Sequence, residues 1–152
     1  MIEERIEYSN FRLLKISGGG TSTEVLKELS DYAIENGIAK QGYYEALIKR
    51  EKEFPTGLQA ARGVAIPHAD EKFTNKSTIV LAVLDHKSKF HEMGGHNIID
   101  VEIVFLLLTK ELGKQVEILQ NIVSLIQNED ILNMLKGPDA LKVMEDNFRS
   151  LV

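Results

Sequence analysis

Arg62-Gly63-Val64-Ala65-Ile66-Pro67-His68-Ala69-Asp70 is the stretch from which the fold is read: a short apolar run, stopped by a proline, that delivers a histidine. Proline fixes its own φ, holds the preceding Ile66 extended and removes one amide from any sheet ladder. The chain is therefore expected to leave the sheet at Pro67. That puts His68 at the carboxyl end of a buried strand, the place where open α/β sheets bind their ligands. A strand on one side and a proline on the other hold an imidazole more firmly than a loop does.

Working outward, Thr78–Leu84 and Val101–Leu108 are continuous runs rich in Val, Ile and Leu, the pattern of strands buried on both faces. Phe11–Ile16 is a shorter strand followed by Gly18-Gly19-Gly20, which reads as a turn because the lysine and hydroxyl of a phosphate loop do not follow it. Thr21 with Glu24 fits a capping box, and Val25, Leu26, Leu29, Tyr32 and Ala33 recur at helical spacing up to Asn36-Gly37, predicting a helix over 21–36. A second helix is expected from Gly42 to Lys52, ended by Pro55 and Gly57.

From Lys114 onward Val116, Leu119, Val123 and Ile126 form one line, widened by Ile118, Ile122 and Leu125. So broad an apolar arc predicts a helix packed between the sheet and another helix. Asp130–Lys136 reads as a short helix ended by Gly137, and Pro138 fits the first turn of a last one carrying Leu141, Met144 and Phe148. Residues 1–10 read as a loose polar arm, and Asp85–Asp100, with three of the four histidines, as a long loop that covers a site or meets a partner. The sum is a single α/β domain over residues 1–152, with helices covering a central sheet.

Composition narrows the function classes. A chain that is 43% hydrophobic and 27% charged is neither disordered nor membrane-embedded in character, and no run approaches the roughly 20 apolar residues of a membrane span. Met1-Ile2-Glu3-Glu4-Arg5 lacks the basic start of a secretory signal, so a cytoplasmic location without membrane insertion is expected. Cysteine is absent, which removes disulfides, thiolate metal sites and thiol nucleophiles. Scattered basic residues and a net charge of 18 − 23 = −5 argue against a nucleic-acid partner.

His68 could serve as base, metal ligand or nucleophile, or be a hydrogen-bonded structural residue. No Gly-x-Ser-x-Gly elbow is present for a hydrolase triad. His86, His91 and His96 recur every five residues near Asp85, Glu92 and Asp100, a spacing that shares neither a helix face nor a strand face, so a solvated loop is expected there and no metal site.

Two blocks carry a family resemblance: Arg50-Glu51-Lys52-Glu53-Phe54-Pro55-Thr56-Gly57-Leu58, and Gly63-Val64-Ala65-Ile66-Pro67-His68. At this spacing they resemble the active-site region of IIA components of the bacterial phosphoenolpyruvate-dependent sugar phosphotransferase system, in the fructose/mannitol superfamily. Phe90–Gly94, Val101–Leu108 and Gln115–Gln120 resemble the galactitol-type branch. The resemblance implies a three-layer α/β/α fold around a mixed sheet, with no cofactor. It implies that His68 takes a phosphoryl group on Nε2 from the phosphocarrier HPr and passes it to a cysteine of a IIB component, which in turn serves a membrane IIC component.

Arg50 matches the family's active-site arginine, whose planar fork suits phosphate oxygens. Many members carry a second histidine where this chain has Gln115, which can donate a hydrogen bond but cannot become cationic. His96 is a candidate for supplying a ring from the loop, Thr56 for a hydroxyl contact, and Phe54 and Met93 for a docking surface around His68. An alternative is a regulatory module whose phosphohistidine controls a transporter, kinase or transcription factor; a third reading is an α/β domain with an inert His68. The sugar is not legible, because a IIA protein handles the phosphoryl group alone.

Overall fold

The computed structural model describes residues 1–8, 10–18 and 20–151. Among them a six-stranded mixed sheet is flanked by five α-helices. The elements run β1 (Ile2–Glu7), β2 (Phe11–Ile16), α1 (Ser22–Glu35), α2 (Tyr43–Glu53), β3 (Gly57–Gln59), β4 (Gly63–Ala65), β5 (Thr78–His91), β6 (Ile98–Leu108), α3 (Leu112–Leu125), α4 (Glu129–Leu135) and α5 (Ala140–Phe148). The strand order is β1-β2-β5-β6-β4-β3, with β2 parallel to β5, β4 parallel to β6, and the other neighbours antiparallel.

The sheet divides the core in two, because successive strand residues point to opposite faces. Leu14, Ile16, Val80, Ala82, Val104 and Leu106 join α1 and α2 in one cluster; Phe11, Leu13, Ile79, Leu81, Ile103 and Phe105 join α3, α4 and α5 in the other. Both faces are covered, which is why β5 and β6 begin and end in unbroken apolar runs. The Thr21 cap forms as expected, its hydroxyl oxygen accepting from Glu24 N at 3.2 Å. Of the Gly18–Gly20 turn, Gly19 lies outside the described residues.

Several expectations are corrected. Residues 2–7 are an edge strand paired antiparallel with β2, Arg5 opposite Leu14 and Glu7 opposite Arg12. An edge strand has one neighbour and an open flank, so its side chains stay charged and its sequence looks like a loop. Most of Asp85–Asp100 is strand: after a break in register beyond Val83, Ser88 pairs with Val101, Phe90 with Ile99 and His91 with Ile98, leaving a short turn over 92–97. Ser88, Phe90, Ile99 and Val101 are buried while Lys89, His91, Ile98 and Asp100 are exposed, a period of two hidden among polar residues.

β3 was not foreseen; it is three residues long and pairs with β4. The helix expected from Lys114 begins at Leu112, and Pro138 stands just ahead of the Asp139 cap of α5. Only part of its apolar arc is buried. Ile118, Ile122 and Ile126 face the core, whereas Leu112, Val116 and Val123 are exposed. No helix among the described residues is long and apolar enough to cross a membrane.

Candidate functional site

Gly63 starts β4 where a side chain would collide with the carbonyl of Asp100, so the strand lies close against β6, with Val64 opposite Ile103 and Ala65 opposite Val104. After Ala65 the chain leaves the ladder. Leu107 N still donates to Pro67 O at 3.1 Å, and His68 is bridged to Leu107, so the backbone under the imidazole is tied to the central strand.

His68 Nδ1 lies 2.9 Å from the carbonyl oxygen of Ile66. A carbonyl accepts and never donates, so this contact places the ring proton on Nδ1 and leaves the Nε2 lone pair available. Among the described residues Nε2 has no hydrogen-bond partner. Burial lowers the imidazole's pKa from 6.5, the Ile66 carbonyl works against that, and the charge of Arg50 lowers it further. The ring is therefore neutral at pH 7, the state in which Nε2 is a nucleophile.

The imidazole lines an open cleft of about 480 Å³ where three elements meet. The last turns of α2 supply Lys49, Arg50 and Glu53; the segment after β4 supplies His68, Asp70 and Glu71; the first turn of α3 supplies Leu112 and Gln115. Arg50 is exposed, with its guanidinium carbon 4.7 Å from the centroid of Phe54, which steadies the fork without using its N–H groups. The N-terminal end of α3 adds partial positive charge at the same cleft. Cations, amide donors and a neutral nucleophile on one cleft are suited to a phosphoryl group.

The structure thus brings together His68, Arg50 and Gln115 and separates the other candidates from them. Thr56 is buried and does not line the cleft. Its hydroxyl donates to Glu51 Oε1 at 2.6 Å and accepts from Ile66 N at 3.3 Å. Phe54 is 58% exposed, which rules out core packing for it. Met93 sits on the 92–97 turn, where it borders a separate shallow groove with Leu119 and Val123. His96 is exposed on that turn and outside the cleft wall, so it brings no second ring to His68.

Sequence reasoning missed Lys49, Asp70 and Glu71 as cleft residues, and Glu51 as the partner of Thr56. Lys49 stands next to Arg50 and could have been found from that adjacency; nothing local marks the Glu51–Thr56 pair.

Residues 16–145 match the family described as phosphoenolpyruvate-dependent sugar phosphotransferase system, EIIA 2. The chain belongs to this family. As an EIIA chain it is a phosphoryl-transfer component of the sugar phosphotransferase system. It is 29% identical over 114 residues to the galactitol-specific EIIA component of Escherichia coli K12, covering 74% of this chain and 76% of that one.

Solved structures confirm the EIIA fold. A chain in the complex of enzyme IIAMtl and phosphorylated enzyme IIBMtl from Escherichia coli aligns with a TM-score of 0.69 at 15% identity, over 95% of this chain and 97% of that one. The nitrogen regulatory protein IIA-Ntr of Neisseria meningitidis aligns with a TM-score of 0.64 at 22% identity, over 85% and 86%.

Proposed function

We propose that His68 is the phosphoryl acceptor of a cytoplasmic IIA phosphocarrier, taking the group from phospho-HPr and handing it to a IIB cysteine. The observation that carries this is the Nδ1 contact with Ile66 O at 2.9 Å, which leaves Nε2 as the unpartnered nitrogen on a cleft it shares with Arg50 and Gln115. In the first step the P–Nε2 bond forms as the P–N bond to the donor ring breaks, and the ring proton stays on Nδ1, hydrogen-bonded to the Ile66 carbonyl. In the second a thiolate attacks phosphorus and His68 leaves as a neutral imidazole. Arg50 and Gln115 hold the equatorial oxygens, where negative charge is spread in the transition state.

The chain has no cysteine, so the thiolate must come from the partner. The galactitol-specific relative supports a polyol system as the setting. The exposed Phe54 beside Arg50, with Leu112 and Val116 at the start of α3, supports docking of both partners over the cleft.

The test is incubation with phosphoenolpyruvate, enzyme I and HPr, followed by mapping of the label. Acid-labile phosphate on His68, all of it lost in His68→Ala, is the expected result; an unlabelled native protein overturns the proposal. Chasing the labelled protein with a IIB component separates transport from regulation. Rapid transfer to the IIB thiol is expected, and retained label would favour the regulatory module.

A further inference from the structure

Glu51 follows Arg50 in the chain yet does not line the His68 cleft. Its two carboxyl oxygens are both taken by Thr56, Oε1 accepting from the hydroxyl at 2.6 Å and Oε2 from the amide at 2.7 Å. Thr56 in turn receives the N–H of Ile66 on its hydroxyl oxygen and its carbonyl oxygen, each at 3.3 Å. The Ile66 carbonyl then holds His68 Nδ1 at 2.9 Å. A continuous path of hydrogen bonds thus runs from the last turn of α2, which carries Arg50, to the imidazole. Thr56 is 1% exposed and Ile66 fully buried, so water cannot replace the inner links.

We propose that Glu51 is a positioning residue for His68: by clamping Thr56 it fixes the Ile66 backbone, whose carbonyl keeps the proton on Nδ1 and Nε2 free, and it ties that backbone to the helix end that carries Arg50. The inference deepens the reading of His68 as phosphoryl acceptor and rests on it for its rate consequences. A small misplacement of a nucleophile relative to its charge clamp costs rate without loss of fold. The same two bonds also brace the turn after α2, so a bracing role alone must be distinguished from a positioning one.

The experiment compares Glu51→Gln, Thr56→Val and Thr56→Ser by single-turnover transfer from phospho-HPr and by 15N NMR of the His68 ring in the unphosphorylated protein. Glu51→Gln puts an amide group where one oxygen now accepts, and Thr56→Val deletes the hydroxyl. Each is expected to slow maximal transfer about tenfold or more, with unchanged HPr affinity and a raised share of the Nε2–H tautomer. Thr56→Ser, which keeps the hydroxyl, is expected to recover most of the loss, and the Glu51/Thr56 double variant to be no worse than the poorer single.

Native rate and native tautomer in folded Glu51→Gln overturn the proposal, as does a change in stability with neither. If Glu51→Gln does not fold, Thr56→Val against Thr56→Ser decides by the same two readouts. A native protein that takes no phosphate on His68 overturns the phosphocarrier reading instead, and the tautomer measurement still decides whether Glu51 positions the ring.

Discussion

The two ends of β4 both carry charged residues, and they are built on opposite terms. At the entrance Arg62 is used up by its own chain: it donates to Glu102 Oε1 at 2.9 Å and to Asn133 Oδ1 at 3.0 and 2.7 Å, while Lys136 reaches the same carboxylate at 2.6 Å. Burial opposes ionisation of Glu102, yet Lys136 and Arg62 outweigh it and hold the carboxyl below its ordinary value. At the exit, Arg50 rests on an aromatic face and His68 keeps Nε2 without a partner among the described residues. Polar capacity satisfied within the chain holds α4 to the sheet; capacity left open on a cleft awaits something from outside.

That contrast can be broken by experiment, beginning where the effect is largest. Arg50→Ala should slow transfer to His68 about 100-fold, near 3 kcal/mol of lost transition-state stabilisation, with little change in melting temperature. If the variant melts early and transfers normally, Arg50 belongs with Arg62 as a structural cation.

Next comes Glu51, whose carboxyl is pushed by burial from 4.5 up to about 7, the two bonds from Thr56 pulling the other way. Between those values the unfolded chain gives up its proton and the folded chain keeps it. Stability should therefore fall by about 3 kcal/mol as pH rises through that window, then level off. Urea melts from acid to neutral pH check this, and the fall should vanish in Glu51→Gln.

Arg62→Ala is the reverse of Arg50→Ala. The Arg62–Glu102 pair is partly exposed on the arginine side, 32% against 9%, so the cost lies between that of surface and buried pairs, about 1–2 kcal/mol, with Lys136 still in place. Transfer by the folded variant should be native; a slowed rate would mean the two ends of β4 are coupled.

The smallest effect is on pH dependence. Because burial, helped by Arg50, lowers the His68 value, the acid limb of transfer should lie below pH 6.5. In Arg50→Ala it should move up toward 6.5, read from the residual rate across pH. An unmoved limb would show that the guanidinium does not face the ring.

His68 was legible because Pro67 acts locally: it withdraws an amide from the ladder, and the regular pairing of β4 with β6 stops at Ala65, leaving a single bridge to Leu107 at His68. β5 and β6 were legible in their apolar halves for the same kind of reason, two covered faces needing no alternation. The outer halves were not, since Ser88, Phe90, Ile99 and Val101 show their period only once the partner strand is known. Val116 and Val123 misled in the other direction. Their spacing is helical, but which side of α3 meets the core depends on where α5 and the sheet lie, and both residues ended outside.

By itself, then, the chain determined its helices, its buried strands, its α/β class and the histidine at a strand's end, because proline, glycine, caps and hydrophobic period act through the nearest few residues. Only the tertiary structure decided which side chains meet around that histidine. Arg50 and Gln115 come to the His68 cleft from helices far apart in sequence, Thr56 turns inward to Glu51, and Met93 and His96 are carried away from it on the β5–β6 turn. Contacts of that kind are set by the packing of whole elements, and no local pattern encodes them.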